Sequence, residues 1–599
     1  MPRLVVGAWL AMAALSSAAP QWTYASSDHF EVYTTGGDRR AREALVSFER
    51  VHAFFTDYMG LSSAPGRPTR LIVFSSENEF KPYRANAVAR AYYQPGPDRD
   101  YIVMSSYDDE SQRVVVHEYV HLIIRHSSLD YPVWLNEGMA EFFSTIAPQG
   151  SKMAVGRVPL DRLQYLNTEA RLIPLARLLA VEHGDPEYNT TAHAGTFYSE
   201  SWALVHMLMT DARYRPNVHT FMEAVGRGDD ARAALPAAFG KPLAAVQSDL
   251  EGYIRKQTYT YFTTPYKEPT ISDKAPVRPA DGFEAGLVTA NLLAANSAKA
   301  AEARAAFDEL SRLKPQDVGL LEARANFELR AGNTDAARAL FEQAIALGST
   351  SPAAYLDYAT RFGLPLETAE PLLRQAIALD PADLSVRLFL ADVQVRERHG
   401  ADALATLASV KHVGPDDAFR LLELLANAHV LERHWPEASA AARQAMDHAR
   451  TPDEKQYAAR LAQSIADYTA RVAESEALRS GAAAPASTSG AGASATDVPQ
   501  SPASHDSAGA VAMPPLTAVG RLKNVICGAT PILEVVADGS TLRLVIDDPL
   551  KIRVLGTGQV QTELKCGAQD MAVRVGYEPM ADRARNTVGS VRLLDFSVK

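Results

Sequence analysis

"HEYVH" at residues 117–121 and "WLNEGMAEFF" at 134–143 are the stretches on which the reading of this chain turns. The segment from about 108 to 125 opens on acidic residues, which favour a helix N-terminus, and it is long enough for a buried helix although Val114, Val115 and Val116 alone would suit a strand. On a helix a step of four residues is a little over one turn, so His117 and His121 project from one face, close enough to share a metal ion. Glu118 lies between them and faces the open side of such a metal, where a carboxylate can take a proton from water. Glu137 follows His121 by 16 residues on a second predicted helix. It offers the third protein ligand that a catalytic zinc site needs, with a fourth position left for water. Glu141, one turn later, could replace Glu137 as ligand or hydrogen-bond the far nitrogen of a ligating histidine.

Upstream of this pair, residues 28–105 alternate strand and helix signals. "HFEVYTT" (29–35), "RLIVFSS" (70–76) and "YIVMSS" (101–106) are short β-rich runs, and Ala41 to Met59 carries apolar residues at helical spacing. Downstream, helices continue to about residue 258. The prolines and polarity of "KEPTISDKAPVRPADG" then predict a linker over 267–282 and a domain boundary near 270.

From 283 to 479 the chain is rich in Ala and Leu and repeats itself. Ala303, Ala337, Ala369, Ala403 and Ala438 recur at intervals of 34, 32, 34 and 35. Four and seven residues after them stand Phe307 and Leu310, Phe341 and Ala344, Leu373 and Ala376, Leu407 and Val410, then Ala442 and Ala445. This register resembles the tetratricopeptide repeat, in which small residues sit where two helices touch. A stack of such pairs implies an all-α solenoid whose surface holds a peptide or protein partner, with a plain helical spacer as the bland alternative. Residues 480–515 lack aromatic residues and nearly lack large aliphatics, so a disordered tether is expected. Over 516–599, "ILEVVADGSTLRLVI", "KIRVLG", "QTELKC" and "MAVRVGYEP" alternate in the β manner with Asp-Gly and Gly turns, which predicts a small all-β domain.

Met1-Pro2-Arg3, an apolar run from Leu4 to Leu15 and the small residues of "SSAAP" read as a signal peptide over 1–18, cut after Ala18 because Pro20 disfavours a cut after Ala19. The run is too short to span a bilayer, so an exported chain, periplasmic or secreted, with no anchor after cleavage is expected. Export makes a disulfide the natural state of Cys527 and Cys566, which are the two cysteines of the chain. A net charge of -11, with 60 basic against 71 acidic residues, leaves no basic surplus for phosphates, so no nucleic-acid partner is expected.

The two helices "HEYVH" and "WLNEG" resemble those of the gluzincin metallopeptidases, among them thermolysin-like enzymes and zinc aminopeptidases. Residues 22–262 as a whole resemble the bacterial peptidase-MA-like proteins, which often carry helical repeats. The resemblance implies an α+β catalytic domain over 20–266, one Zn²⁺ per chain held by His117, His121 and Glu137, and Glu118 as general base. It favours Glu141 as the carboxylate behind a zinc histidine. The spacing from His121 to Glu137 is a few residues shorter than in thermolysin-like enzymes or the aminopeptidases, so a short loop must return the second helix. "FYSESWALVHML" (197–208) is similar to the aminopeptidase segment whose tyrosine meets the oxyanion, which implies that role for Tyr198; the ordinary alternative is a tyrosine at a helix start. His193 is the thermolysin-like alternative, while His126 and His206 read as structural. The aminopeptidase motif Gly-x-Met-Glu-Asn is absent, so the resemblance implies an endopeptidase acting on a peptide or protein substrate. The rival expectation is a non-catalytic tetratricopeptide scaffold with a remnant peptidase domain.

Overall fold

A computed structural model describes residues 21–598 except 60–66, 85–89, 97–98, 107–108, 126–130, 169–171, 190–193, 270–274, 411–412, 481–511 and 556–564. The expected signal peptide, His126 and His193 therefore lie outside the described residues. The chain divides into two compact units, residues 1–362 and 363–599.

In the first unit, β1 (Thr23–Ser26), β2 (Phe30–Thr34), β3 (Thr69–Val73), β4 (Ala91–Gln94) and β5 (Tyr101–Met104) form a sheet. Its order is β4-β5-β3-β2-β1, with β2, β3 and β5 parallel and β4 antiparallel on the outer edge. All four residues of β5 are buried, the mark of a strand covered on both faces. On one face Phe30, Val32, Leu71, Val73, Ile102 and Met104 pack against helices Gly37–Met59 and Asp109–Arg125. On the other, Tyr33, Ile72 and Val103 meet Ala285, Val288 and Leu292 of helix Gly282–Ala294.

That second face corrects the expected linker over 267–282 and its boundary near 270. After β6 (Ala147–Gln149), β7 (Lys152–Val155) and β8 (Phe262–Pro265), which make a small separate sheet, strand β9 (Val277–Pro279) pairs with β1 and becomes the sheet's far edge. Pro279 is tolerated because an edge strand has an unpaired side. Asp281 then caps helix Gly282–Ala294 in a capping box with Glu284. Prolines and polar residues signalled a linker there, but they are the materials of an edge strand and a helix cap.

Helices Ala300–Leu313, Val318–Arg330, Thr334–Ala346 and Pro352–Arg361 complete the first unit. Leu366–Leu379, Leu384–Arg396, Gly400–Leu407, Pro415–Leu431, Trp435–His448 and Pro452–Ser480 open the second. Ala303, Ala337, Ala369, Ala403 and Ala438 are all buried, as are the apolar residues that follow them except Val410. Helix Gly400–Leu407 stops short of that position.

The second unit ends in β10 (Leu516–Ile526), β11 (Ile532–Ala537), β12 (Ser540–Val545), β13 (Arg553–Leu555), β14 (Gly567–Asp582) and β15 (Thr587–Asp595). The order is β12-β11-β10-β14-β15-β13, and β12 also pairs with β15, which closes the sheet on itself. Cys527 and Cys566 are disulfide-bonded. Most of "QTELKC" and residues 481–511 of the expected tether lie outside the described residues. The ends of that segment are fixed: Ser480 finishes a helix, and Pro514 and Pro515 accept hydrogen bonds from Tyr468 and Arg433. Leu478 packs on the β core and Ser475 donates to the Val588 carbonyl, so the last helix of the solenoid anchors the β domain directly.

Candidate metal centre

Helix Asp109–Arg125 lies under β4 and β5, with Val115, Tyr119 and Leu122 in the core beneath the sheet. Tyr119 is locked there by a hydrogen bond of 2.9 Å between its hydroxyl and His52. His117 and His121 emerge together on another face. Helix Val133–Phe143, of which every residue but Asn136 is buried, brings Glu137 to them. Gly138 makes this placement possible: a Cβ there would stand 2.6 Å from the Ser201 carbonyl oxygen of helix Ala194–Thr210.

The three side chains converge. His117 Nε2 and His121 Nε2 are 3.0 Å apart, and Glu137 Oε2 lies 3.3 Å from the first and 3.5 Å from the second. Ligands at 2.0–2.1 Å around tetrahedral zinc are separated by about 3.3 Å, so the triangle has the size zinc requires. The outer nitrogens have partners of their own. His121 Nδ1 donates to Asn136 Oδ1 at 2.9 Å, and His117 Nδ1 faces Glu141 Oε1 at 3.3 Å. With both protons held outward, two Nε2 lone pairs point at one another and at a buried carboxylate oxygen that has no hydrogen-bond partner among the described residues, an arrangement that would suit a cation. A second group of possible ligands, Glu370, Glu397 and His399, differs: Glu370 there is already bonded by Arg374 and Gln394.

Glu141 does not reach the triangle. It sits behind His117, where Arg162 donates to it at 2.6 Å and Arg113 at 3.3 Å. Burial is the largest influence on Glu141 and pushes its pKa up, but His117 and Arg162 overcome it and hold the carboxyl at about 2. Glu118 Oε2 accepts the Tyr93 N–H of β4 at 3.0 Å. Burial dominates here too and raises the Glu118 pKa, against the pull of His117 and His121.

Tyr198 is in the second turn of helix Ala194–Thr210, with its ring centroid 6.4 Å from that of His117 and Arg162 packed over its face. Burial raises its pKa. It also stacks on Tyr188, whose hydroxyl donates to Glu137 Oε1 at 3.1 Å. Tyr188, Arg162 and the Tyr93 N–H are functional neighbours that sequence reasoning missed, because no fixed spacing ties them to the histidines. Asn136 could have been noticed, since it adjoins Glu137 in the quoted motif. His206 is buried between the Gly156 carbonyl and the Tyr253 hydroxyl, away from the triangle. A cavity of about 1300 Å³ is lined by Arg113 and Val116 rather than by the two histidines.

Comparison with known proteins bears on two parts of the chain. The family described as Tetratricopeptide repeat matches residues 318–361 and again 366–428. The chain carries tetratricopeptide repeats. The family described as Protein of unknown function (DUF1570) matches residues 113–224, a span that contains the histidine pair, Glu137, Glu141, Tyr188 and Tyr198. A curated relative, the cytochrome c-type biogenesis protein CycH of Rhizobium meliloti (strain 1021), is 34% identical over 125 residues. That match covers 20% of this chain and about a third, 32%, of the relative. Among solved structures, YrrB, titled a TPR protein with an unusual peptide-binding site, matches with 18% identity and a TM-score of 0.27, covering 29% of this chain and 90% of that one. TTC0263, a thermophilic TPR protein of Thermus thermophilus, matches with 18% identity and a TM-score of 0.21 over 30% of this chain and 98% of that one.

Proposed function

We propose that the first unit is a zinc-dependent peptidase and that the tetratricopeptide repeats hold its substrate or a partner protein. The observation that carries this reading is the convergence of His117 Nε2, His121 Nε2 and Glu137 Oε2, which has no hydrogen-bond partner among the described residues, with the half-buried Glu118 next to His117 on the same helix. When bound, zinc would supply a Lewis acid that polarises a carbonyl and makes water acidic enough to ionise near neutral pH. The remaining work belongs to side chains. Glu118 takes the proton from the attacking water and hands it to the leaving amine. Glu141 and Asn136 orient the two imidazoles, and Arg162 keeps Glu141 ionised. Tyr198 retains its proton, so its hydroxyl can donate to the oxyanion of the tetrahedral intermediate.

A second reading, a non-catalytic tetratricopeptide scaffold, is the one the sequence likenesses favour. They fall on the repeats, on a family of unknown function and on a relative named for cytochrome c biogenesis. Endopeptidase action and export are parts of the first reading, and the Cys527–Cys566 disulfide supports the oxidising compartment that export implies. Incubating the full chain with a mixed protein substrate separates the two. Chelator-sensitive cleavage that Glu118→Gln abolishes supports the peptidase, and intact substrate under zinc-replete conditions leaves the scaffold.

A further inference from the structure

The two oxygens of Glu137 stand in different surroundings. Oε2 lies 3.3 Å from His117 Nε2 and 3.5 Å from His121 Nε2 and has no hydrogen-bond partner among the described residues. Oε1 accepts the hydroxyl of Tyr188 at 3.1 Å, across 51 residues of sequence. A phenol keeps its proton at neutral pH, so the hydroxyl is the donor and the carboxylate the acceptor. The difference matters because a carboxylate can ligate a cation through one oxygen or through both. A catalytic zinc site takes three protein ligands and leaves the next position to water, and a second oxygen of Glu137 would compete for it.

Tyr188 is itself held in place by its ring and by its backbone. The ring stands edge-on to Phe197, with 5.8 Å between centroids, and to His183 at 5.2 Å, and it stacks on Tyr198 at 6.1 Å. Its backbone belongs to the short helix Pro186–Asn189, where the Tyr188 N–H donates to the Asp185 carbonyl at 3.1 Å and Asp185 Oδ2 accepts the Glu182 N–H at 2.8 Å. Arg177 clamps this turn from outside. Its guanidinium donates to both oxygens of Glu187, at 2.8 and 2.7 Å, and lies 3.0 Å from Asp185. Arg177 in turn rides on helix Leu175–Leu178, whose Leu175 and Leu178 are in the core. The hydroxyl therefore meets Glu137 from a fixed point rather than from a loose side chain.

We propose that Tyr188 is a positioning residue that confines Glu137 to ligation through Oε2 alone and so keeps open the place that water needs. The inference rests on the zinc reading of the site and adds to it the residue that sets the number of ligand atoms. Asn136 and Glu141 do the corresponding work for the two imidazoles, so with Tyr188 each member of the triangle has its own hydrogen-bonded support.

The test uses the full chain, stripped of metal and loaded with Co²⁺, whose visible bands weaken as coordination rises from four to five. Azide, a small anion that enters an open coordination place and perturbs those bands, is then titrated in. Tyr188→Phe removes the hydroxyl and keeps the ring that meets Phe197, His183 and Tyr198. Its cobalt bands should be weaker than those of the wild type, and azide should bind about tenfold less tightly, the scale on which a lost hydrogen bond behind a ligand is felt. Its melting temperature without metal should match the wild type, which separates ligand positioning from a packing defect. Arg177→Gln, which loosens the turn without touching the triangle, should move both readings in the same direction by less. Wild-type bands and wild-type azide affinity in both folded variants would overturn the inference, as would a wild-type chain whose cobalt is already five-coordinate through both oxygens of Glu137. A wild-type chain that binds neither zinc nor cobalt would instead defeat the zinc reading, and the role of Tyr188 with it.

Discussion

Glu118 and Tyr198 divide the proposed chemistry between a proton acceptor and a proton donor, and each makes a separable prediction. Glu118→Gln should retain zinc, because Glu118 bonds the Tyr93 N–H and stands outside the ligand triangle, and it should abolish turnover. Tyr198→Phe should lower kcat by about a hundred- to a thousandfold with KM nearly unchanged, since the oxyanion contact is made fully only in the transition state. Zinc content and thermal stability serve as controls, because Phe preserves the stack on Tyr188. If Tyr198→Phe keeps more than about a third of wild-type kcat while Tyr188→Phe loses most of it, the donor is Tyr188. The approach of His117 to His121 was legible because helix periodicity puts them on one face, and Glu137 because the quoted motif supplies it. Glu141 could be placed only by structure, as two carboxylates one turn apart are equivalent until the helix is docked.

At the scale of elements, the site depends on how closely helix Val133–Phe143 approaches helix Ala194–Thr210. Gly138→Ala would put a methyl group 2.6 Å from both the Ser201 carbonyl oxygen and Val205 Cγ2. Overpacking of this kind costs about 1–3 kcal/mol, so the melting temperature should fall and zinc affinity with it, as Glu137 moves with its helix. Unchanged values of both would show that the contact is not needed. Helix Asp109–Arg125 is held from its other side by the Tyr119–His52 bond, and burial lowers the His52 pKa to about 4. The unfolded chain then takes up a proton near pH 6.5 that the native state refuses, so this group makes stability fall as pH drops from about 6.5 toward 4. His206, also lowered to about 4 by burial, acts in the same direction. Denaturant midpoints across this range should decline less steeply in His52→Gln than in the wild type, and equal slopes would contradict the assignment. The β5 run, uniformly apolar, announced a strand; β9 did not, because two residues between Pro276 and Pro279 become part of a strand only when β1 offers them an edge.

For the whole molecule, the repeat register was legible because a period near 34 survives local variation, whereas the boundary near 270 was misplaced because polarity cannot distinguish a linker from a sheet edge. The Cys527–Cys566 bond closes a loop of 39 residues in the second unit. On the chain-entropy account its removal should cost the β domain about 4 kcal/mol, visible as an earlier unfolding transition of the Cys527→Ser, Cys566→Ser variant. A domain that unfolds at the same denaturant concentration with and without the bond would refute that contribution. The proposed zinc centre is tested most directly by metal analysis of the full chain after zinc loading and exhaustive dialysis. The account predicts about one zinc per chain in the wild type and in Glu118→Gln, and almost none in His117→Ala or His121→Ala. Full occupancy in both histidine variants, or a wild-type chain that retains no zinc, would contradict it.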